Sequence, residues 1–261
     1  MYVGIDIGSV TSKAVVINNE EDILAFAIAL TRYDRNESGR IVFDQVLKQV
    51  GLSEESIIHI VSTGYGRNSL SFSNDSVTEI LCHVEGTKKL LPGVRTIIDI
   101  GGQDSKVIAL DEEGLISKFE MNDKCAAGTG RFLEVMAERI LNIDISEMGP
   151  LSLQSTDPCV LSCVCTVFAE SEVISYLSAH KERTNIAQGL HLAIAKRVIA
   201  MGKAAQILYR TPIYFTGGVA KNVGVITAIE EILGEKVIVP EQPQLTAALG
   251  AALFAKRKGV S

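Results

Sequence analysis

Two aspartates occupy the same position in a repeated segment, where each carboxylate could bind a divalent cation or orient a water molecule. Asp6 lies in Gly4-Ile-Asp-Ile-Gly-Ser-Val-Thr-Ser-Lys-Ala-Val-Val-Ile17, and Asp99 lies in Ile97-Ile-Asp-Ile-Gly-Gly-Gln-Asp-Ser-Lys-Val-Ile-Ala-Leu110. A magnesium site typically uses one or two carboxylates together with waters and phosphate oxygens. Because Asp, Ile, Gly, Ser and Lys recur at identical offsets, we predict that both aspartates are catalytic rather than caps of their own turns. Both are expected to face solvent.

Donors to phosphate follow each aspartate. Side-chain hydroxyls and an ammonium group follow Asp6, whereas a glycine turn and the amide side chain of Gln103 follow Asp99. Such groups bind phosphate oxygens through charge-assisted hydrogen bonds and through closely approaching backbone amides. Gln103 is also predicted to be catalytic. The predicted phosphate-contacting residues are Gly8, Ser9, Thr11, Ser12, Lys13, Gly101, Gly102 and Gln103.

Five cysteines form the second set of residues that could do chemistry. Five is an odd number for a disulfide framework, and clustered cysteines in a reducing compartment more often bind metals or act in catalysis. Cys159, Cys163 and Cys165 have the spacing Cys-x-x-x-Cys-x-Cys and could complete a metal site with Cys125 in one chain. Cys82 lies on an apolar helix face and is predicted to be a core residue.

The repeated segments must place their aspartates at a turn between two strands. Each segment is an apolar, β-branched run, a glycine-containing turn and a second β-rich run, which is the pattern of a hairpin. A Walker A loop and a dinucleotide-binding fingerprint both require a helix that begins at the glycines, and the sequence contains neither motif.

A second matching pair of elements extends the repeat to both halves of the chain. Thr63-Gly-Tyr-Gly-Arg67 follows the first hairpin, and Thr216-Gly-Gly-Val219 follows the second. The separation between aspartate and threonine is 57 residues in the first half and 117 in the second. The second half has therefore gained about 60 residues, which fall between Asn122 and Arg183 and contain four of the cysteines.

Periodicity and turn residues predict strands that alternate with helices, twice over, which is typical of a two-lobed α/β molecule. The predicted strands are 2–8, 12–18, 23–31, 58–62, 95–100, 105–110, 115–119, 212–216 and 236–239. The predicted helices are 39–51, 75–90, 127–141, 166–180, 184–208, 219–234 and 243–257. Asn222 and Gly234 mark turns near the ends of the next-to-last helix.

Composition and charge exclude several classes of protein. Of 261 residues, 47% are hydrophobic and 21% charged, which is a globular composition, and the formal net charge is -6. A negative net charge disfavours nucleic-acid binding, which relies on a basic surface. The apolar stretch 245–255 falls short of the roughly 20 residues that span a bilayer, so no membrane contact is expected. The N-terminus lacks an export signal, which predicts a cytoplasmic protein.

Taken together, these features resemble the superfamily of actin, sugar kinases and heat-shock chaperone ATPases. In that superfamily, two duplicated lobes of an actin-like, ribonuclease H-like fold each contribute a hairpin to the phosphates of ATP in the cleft between them. The resemblance implies a first lobe of residues 1–94 plus the C-terminal helix 243–261. It implies a second lobe of residues 95–242, which carries the cysteine-bearing insertion 122–183.

Two further segments narrow the resemblance. Met121-Asn-Asp-Lys-Cys-Ala-Ala-Gly-Thr-Gly-Arg-Phe-Leu-Glu134 and Cys165-Thr-Val-Phe-Ala-Glu-Ser-Glu-Val-Ile-Ser175 are similar to the two cysteine signatures of the activators of 2-hydroxyacyl-CoA dehydratases and of related benzoyl-CoA reductase subunits. This resemblance implies an ATP-dependent one-electron reductase that uses Mg²⁺ with ATP or ADP. The implied electron acceptor is a CoA-ester dehydratase or a double-cubane cluster protein, and the implied donor is a ferredoxin or a flavodoxin.

The same resemblance implies a homodimer in which Cys125 and Cys165 of each subunit together hold one [4Fe-4S] cluster. Two cysteines per chain cannot supply four ligands, so two chains must share the cluster. Both cysteines are expected at helix N-termini, which stabilise negative charge on a thiolate or a cluster. Further implied cofactor contacts, at the cluster or on the α-phosphate and ribose side of the nucleotide, are Gly128, Thr129, Gly130, Gly217, Gly218, Val219 and Gly250.

Two other classes of function are kept as alternatives. A small-molecule kinase of the same superfamily would use Asp104 or Asp123 as its catalytic base, but it leaves the cysteine signatures unexplained. A noncatalytic, nucleotide-gated binding module would need a substrate domain that is not recognisable in this chain. If the chain is an activator, we expect nucleotide binding to be coupled to the cluster through residues 104–124, which join the second hairpin to the cysteine segment.

Overall fold

The computed structural model describes residues 1–162 and 166–259. The chain divides into two compact units. Unit 1 is Met1–Pro92 with Gln244–Ser261, and unit 2 is Gly93–Pro243. Each unit contains one five-stranded mixed sheet with helices packed against it, which confirms the predicted α/β class.

The secondary structure follows the predicted alternation of strands and helices. The strands are β1 (Tyr2–Ile7), β2 (Thr11–Ile17), β3 (Ile23–Leu30), β4 (His59–Thr63), β5 (Asp75–Ser76), β6 (Thr96–Ile100), β7 (Ser105–Leu110), β8 (Ile116–Asn122), β9 (Ile213–Thr216) and β10 (Val237–Ile238). The α-helices are α1 (Arg35–Val50), α2 (Glu79–Leu90), α3 (Gly130–Val135), α4 (Ile145–Ser152), α5 (Thr166–Ser178), α6 (Arg183–Ala204), α7 (Val223–Leu233) and α8 (Thr246–Gly259). A π-helix (Met136–Leu141) continues α3, and short 3₁₀ helices occupy Glu54–Ser56, Arg67–Ser69 and Gly218–Lys221.

The two sheets have the same construction. The strand order is β3-β2-β1-β4-β5 in unit 1 and β8-β7-β6-β9-β10 in unit 2. In each sheet a buried first strand pairs antiparallel with the next strand and parallel with the strand that ends in threonine. The sequence repeat is therefore a repeat of structure, and both predicted hairpins are confirmed.

Helices cover both faces of the sheet in unit 1. Helix α1 packs on one face through residues such as Phe43, whereas α8 covers the other face together with α2. The contact of α8 is very close, because a Cβ atom at Gly4 would lie 2.0 Å from the carbonyl oxygen of Ala248. A Cβ atom at Gly250 would lie 1.8 Å from the carbonyl oxygen of Cys82. Packing against α2 thus accounts for the glycine at position 250, and its contact with nucleotide stays a prediction.

Several elements differ from their predicted boundaries. Helix α1 begins at Arg35 rather than at residue 39, because the side chain of Asp34 caps it by accepting from the amide of Glu37. Residues 75–76, predicted to start a helix, pair with β4 as the edge strand β5. Helix α3 begins at Gly130 rather than at residue 127, since residues 126–129 form a turn. The predicted helix 219–234 begins as a 3₁₀ turn, and α7 itself starts after Asn222, which caps it.

Helix α4 is absent from the sequence prediction. Its interior contains Gly149-Pro150, and Pro150 removes a backbone donor, so the sequence pattern there indicates a break. The helix forms because Asp144 and Glu147 make a complete capping box at its start. That capping box is the signal from which the helix could have been predicted.

Within residues 1–162 and 166–259, no helix combines the length and the apolar character that crossing a membrane requires.

Candidate functional site

The hairpin of unit 1 holds Asp6 beside a lysine on the neighbouring strand. Asp6 and Lys13 are cross-strand partners, and Nζ of Lys13 donates to Oδ2 of Asp6 at 2.9 Å. The turn is closed by a hydrogen bond of 3.1 Å from the amide of Gly8 to the carbonyl of Thr11. The other carboxylate oxygen, Oδ1 of Asp6, is buried and has no hydrogen-bond partner among the residues that the structure describes.

The hairpin of unit 2 repeats this arrangement with one addition. Asp99 and Lys106 are cross-strand partners, and Nζ of Lys106 donates to Oδ2 of Asp99 at 3.2 Å. The amide of Gly101 donates to the carbonyl of Asp104 at 2.9 Å, as Gly8 does in the first hairpin. The addition is the side chain of Asp104, which also accepts from Nζ of Lys106. Lys106 is therefore a buried cation with two carboxylate partners.

A glycine approaches each aspartate from the adjacent parallel strand. Gly64 follows Thr63 with φ +83°, and Gly217 follows Thr216 with φ +89°. A Cβ atom at Gly64 would lie 2.3 Å from Oδ1 of Asp6, and one at Gly217 would lie 2.7 Å from Oδ1 of Asp99. Only glycine satisfies both the left-handed backbone and the lack of space. The Thr-Gly elements recognised in the sequence thus form part of both aspartate sites.

The expectation that both aspartates face solvent is wrong. Asp6 is 4% exposed and Asp99 is 3% exposed. The reason is that each residue lies near the end of the central strand of its sheet, between a lysine on one side and a Thr-Gly loop on the other. The carboxylates remain compatible with burial because each has an ammonium group as a hydrogen-bonding partner.

The unpartnered oxygen of Asp6 fits a cation. A buried polar atom without a partner is rare in folded proteins and marks a place where an ion or an ordered water completes the site. Carboxylate oxygen is also the ligand that Mg²⁺ prefers. The donor set of the first hairpin therefore suits Mg²⁺ chemically.

The remaining predicted phosphate contacts have different surroundings. Ser12 is buried, and its Oγ lies 2.9 Å from Oγ1 of Thr31, which donates to the carbonyl of Gly8. Ser9 and Thr11 are partly exposed at the first turn, and Gln103 is exposed at the second. The hydroxyl of Ser12 therefore stabilises the hairpin, whereas the others are accessible to a ligand.

The loop after β9 contains the adjacent glycines Gly217 and Gly218. Oγ1 of Thr216 and the amide of Gly217 both donate to the carbonyl of Pro243, at 2.6 and 3.0 Å. Gly218 is exposed and Val219 is buried. The predicted α-helix N-terminus directly after these glycines is wrong: Gly218–Lys221 is a four-residue 3₁₀ turn, because the chain must still reach Asn222 before α7 begins.

Cys125 lies in a loop of small residues between β8 and α3. Nδ2 of Asn122 donates to the carbonyl oxygens of Cys125 at 2.8 Å and of Ala127 at 3.3 Å. The amide and Oγ1 of Thr129 both donate to the carbonyl of Ala126. These bonds fix the backbone while the Cys125 residue itself stays partly exposed. A defined loop thus presents this cysteine, and the expectation that Cys125 lies at a helix N-terminus is wrong, because the turn at residues 126–129 delays the start of α3 to Gly130.

The start of α3 is hydrogen-bonded to the glycine turn that follows β6. The amide of Gly130 donates to the carbonyl of Gly101 at 2.8 Å, and the amide of Arg131 donates to that of Gly102 at 2.9 Å. A Cβ atom at Gly130 would lie 3.1 Å from the oxygen of Gly101 and 3.2 Å from Cγ2 of Val219. The structure therefore brings the cysteine segment and the predicted phosphate-contacting turn into direct hydrogen-bonded contact.

The other described cysteines have no chemical access. Cys82 is fully buried between α2 and α8, and burial raises the pKa of its thiol to about 12. Cys159 is buried in the core of unit 2, and burial raises its pKa as well. The prediction that Cys82 is a core residue is confirmed. Cys163 and Cys165 lie outside the described residues.

Gly128 has a left-handed backbone conformation and lies beside an arginine. Its φ is +96°, and a Cβ atom there would lie 3.1 Å from Cδ of Arg197. Arg197 thereby packs against the loop that carries Cys125, in a cleft lined also by Ser162 and Ala169. A side chain at either predicted glycine of this loop, Gly128 or Gly130, would make a tight contact with its neighbours.

Sequence reasoning gives no role to His191, which is fully buried on α6. Its Nδ1 lies 2.9 Å from Oγ of Ser152, and its Nε2 lies 3.2 Å from Nδ2 of Asn222. Burial lowers the pKa of the imidazole from 6.5 to about 3. A single histidine without metal-ligand spacing carries no signal in the sequence that could have identified this network.

Burial of His191 predicts a pH dependence of stability. Below its ordinary pKa of 6.5, the unfolded chain binds a proton at His191 that the folded chain excludes down to about pH 3. The free energy of unfolding should therefore fall as the pH is lowered through this window, by about 1.4 kcal/mol per pH unit for this group. Urea unfolding of wild type and His191→Asn between pH 4 and 7 measures the slope, which the substitution should reduce by that amount.

The matched control is His180→Asn, because His180 is exposed and has a left-handed backbone that asparagine tolerates. Its slope should equal that of wild type. An unchanged slope in His191→Asn would show that this imidazole titrates normally in the folded protein.

Three comparisons with known proteins agree with this geometry. The model of the BadF/BadG/BcrA/BcrD ATPase family matches residues 3–255. The chain is 49% identical to the activator of lactoyl-CoA dehydratase from Anaerotignum propionicum, over 98% of this chain and 97% of that protein. It is 42% identical to the (R)-2-hydroxyglutaryl-CoA dehydratase activating ATPase from Acidaminococcus fermentans, over 98% of this chain and 96% of that protein.

A solved structure provides the third comparison. The activator of the 2-hydroxyisocaproyl-CoA dehydratase from Clostridium difficile, with bound ADPNP, superimposes with a TM-score of 0.93 at 44% sequence identity. The match covers 100% of this chain and 96% of that one. The fold of that protein is thus matched along the full length of this chain.

Proposed function

Because the chain belongs to the BadF/BadG/BcrA/BcrD ATPase family, we propose that it is an ATP-dependent one-electron reductase that activates a partner iron–sulfur enzyme. Relatives that are named as dehydratase activators support the activating role. The ADPNP bound to one of them supports the use of ATP. The residues that would perform each part of this activity are those of the repeated hairpins and of the inserted cysteine segment.

The carboxylate of Asp6 would hold Mg²⁺, which would neutralise charge on the phosphates of ATP, and the carboxylate of Asp99 would bind the metal or position a water. The unpartnered Oδ1 of Asp6 supports this assignment. Gln103, exposed at the second turn, would orient the attacking water. The first turn would supply Ser9, Thr11 and Lys13 to phosphate oxygens, and the second would supply backbone amides of residues 101–103. The α-phosphate and ribose side of the nucleotide would be contacted by Gly217, Gly218, Val219 and Gly250.

Cys125 and Cys165 of two subunits would hold one [4Fe-4S] cluster. The exposure of Cys125 supports its assignment as a ligand. Among the cysteines in residues 1–162 and 166–259, Cys82 and Cys159 are buried and Cys125 is not. A thiolate is the ligand that such a cluster requires, and burial opposes thiolate formation at Cys82 and Cys159. When bound, the cluster would supply one low-potential electron to the acceptor, and a ferredoxin or flavodoxin would replace that electron.

Exposed apolar side chains on α5 support a homodimer. Val167, Phe168 and Ile174 are 64%, 62% and 52% exposed, and the helix begins one residue after Cys165 in the sequence. Apolar residues grouped in this way on a surface commonly mark an interface between proteins. A second copy of the chain at this helix would supply the remaining cysteine ligands. The acceptor would be a CoA-ester dehydratase or a double-cubane cluster protein.

The observation that carries the proposal is the attachment of α3 to the second hairpin. Two main-chain hydrogen bonds join Gly130 and Arg131 to the turn Gly101-Gly102. A nucleotide that displaces this turn would therefore also displace the segment that begins at Cys125, five residues before α3. ATP hydrolysis and the cluster would be linked by this contact as well as by the longer connection through residues 104–124.

The small-molecule kinase alternative has less support. A kinase would need an aspartate that can accept a proton from its substrate, and the carboxylate of Asp104 is buried and ion-paired with Lys106. The activator hypothesis also accounts for the cysteine signatures, whereas the kinase hypothesis does not.

Anaerobic iron chelation tests the proposed function. Protein purified without oxygen should be brown, should contain about two iron atoms per chain, and should hydrolyse ATP. Iron release to a chelator should be faster with ADPNP than with ADP, because a nucleotide shifts a conformational equilibrium only through unequal affinity for the two states. Equal release rates in the apo, ADP and ADPNP states, or colourless protein without iron, would contradict the proposal.

A further inference from the structure

Three helices of unit 2 meet at one buried chain of hydrogen bonds. Ser152 is at the end of α4, His191 lies in the middle of α6, and Asn222 caps α7. Helix α4 belongs to the inserted cysteine segment, whereas Asn222 follows directly on the 3₁₀ turn Gly218–Lys221 of the glycine loop. The chain of hydrogen bonds therefore begins at Asn222, whose amide donates to the carbonyl of the predicted nucleotide contact Val219 at 2.9 Å, and ends in the insertion.

The hydrogen bonds fix the orientation of the Asn222 side-chain amide and the nitrogen of His191 that carries the proton. Oδ1 of Asn222 accepts from the amides of Gly224 and Val225, so its Nδ2 must donate to Nε2 of His191. Nε2 is then unprotonated, and the proton on Nδ1 of His191 is donated to Oγ of Ser152. Ser152 in turn donates to the carbonyl of Gly149 at 2.7 Å. Every member is thus satisfied with the imidazole neutral, in agreement with its lowered pKa.

Two glycines leave no space between the helices. A Cβ atom at Gly224 would lie 2.2 Å from Nδ1 of His191 and 2.3 Å from Oγ of Ser152. A Cβ atom at Gly149 would lie 2.8 Å from Oδ1 of Asn222. The start of α7 and the end of α4 are therefore in direct contact around the imidazole. A close-packed, fully hydrogen-bonded junction moves as one body more readily than it deforms.

We propose that His191 and Asn222 are positioning residues that tie the loop Gly217–Val219 to helix α4, so that movement of this loop with nucleotide is transmitted to the inserted segment. The proposal rests on the proposed function for the role of the loop in nucleotide binding. It adds a second attachment of the insertion, through side chains, to the main-chain attachment at Gly130. Both glycine loops of unit 2 would then be connected to the segment that carries the cysteines.

Hydrogen–deuterium exchange of the intact protein, prepared anaerobically, tests the connection. In wild type, amides of residues 145–152 should exchange at rates that differ between the ADP and ADPNP states by about fivefold or more, the lower end of ordinary allosteric coupling. Asn222→Ser retains a good helix cap but removes the amide donor to His191. This variant should lose the difference at residues 145–152 and keep it at residues 101–103.

The control is Asp34→Ser, which makes a comparable change of cap at α1 in unit 1 and should preserve both responses. If Asn222→Ser does not fold, Ser152→Ala interrupts the same chain at its other end and should have the same effect. Absence of a nucleotide response at residues 145–152 in wild type would overturn the proposal. A response of wild-type size in the interrupted variant would overturn it as well.

Nitrogen-15 NMR of labelled histidine provides a direct test of the junction. His191 should carry its proton on Nδ1 in wild type, and its Nε2 resonance should shift in Asn222→Ser, an effect that loss of helix capping alone does not produce. A proton on Nε2 would overturn the assignment. Neither the exchange measurement nor the NMR measurement needs iron or turnover. Protein that binds no cluster would therefore contradict the proposed function, and the two measurements would still decide whether His191 and Asn222 connect the loop to α4.

Discussion

Cys125→Ser and Cys165→Ser should each reduce the iron content of anaerobically purified protein to background. Serine is a poor ligand for iron, and each substitution removes two of the four ligands from a cluster shared by two chains. Cys125→Ser should remain folded, because Cys125 is partly exposed and the serine hydroxyl can be solvated. Colorimetric iron and sulfide determination, with the absorbance near 400 nm, measures the effect, alongside circular dichroism to establish folding.

The remaining cysteines provide matched controls. Cys82→Ser, Cys159→Ser and Cys163→Ser make the same chemical change and should retain iron. Cys82→Ser places a hydroxyl in a fully buried site, so a loss of stability of about 1–3 kcal/mol is expected without loss of iron. Four irons in each single chain, or iron loss confined to Cys163→Ser, would show that the ligands are assigned to the wrong residues.

Asp6→Asn and Asp99→Asn should each slow Mg-ATP hydrolysis on the order of a hundredfold, because each loses a charged contact to metal or water worth a few kcal/mol. The steady-state rate of phosphate release at saturating ATP measures the loss. A calorimetric titration with ADPNP separates weaker binding from slower hydrolysis. Wild-type rates in both variants would show that the duplicated aspartates only stabilise their hairpins.

Burial of these aspartates adds a cost in stability that the assay must accommodate. Removing one partner of a buried ion pair commonly costs about 3–5 kcal/mol. Lys106 keeps Asp104 as a partner in Asp99→Asn, and the side chain of Lys13 is 13% exposed, so both losses should fall at or below the lower end of this range. Activity is therefore measured well below the unfolding midpoint of each variant.

Asp75→Asn is the matched control for the aspartate variants. Asp75 pairs with Lys258 and His59 in unit 1, so this substitution also removes one carboxylate with its ion pairs. Its ATPase rate should equal that of wild type. A hundredfold loss here would mean that ion-pair stability, rather than the hairpin carboxylates, governs the measured rate.

The repeated hairpins could be predicted from the sequence because their information is local. Alternation of β-branched residues about a glycine turn specifies the strands, and identical offsets specify that Asp6 and Asp99 are equivalent. The pairing of each aspartate with a lysine seven residues later follows from the same two-strand register. The local pattern does not reveal how deeply the two aspartates are buried. Their burial depends on the neighbouring strands β4 and β9 and on the helices that cover the sheets.

The contacts of the inserted segment could not be predicted because they join residues far apart in the chain. Gly130 meets Gly101 only after β7 and β8 have formed, and His191 meets Asn222 only after α6 has turned back to β9. A glycine in the sequence can indicate that another part of the chain packs closely against it, but it does not show which part. The same holds for Gly250, whose small size is explained by the carbonyl of Cys82 on a helix that lies more than 160 residues earlier.

Helix α8 has a consequence for the synthesis of the chain. It covers the face of the first sheet that includes Tyr2, Val15 and Val61, yet the ribosome makes it only after all of unit 2. At about 5–20 residues per second, that apolar face waits on the order of ten seconds for its cover. Unit 2, which is contiguous in sequence, can complete its core during this interval. The nascent chain should therefore fold its second half first and require protection of its first half, which makes the N-terminal sheet the part that a chaperone would have to shield during translation.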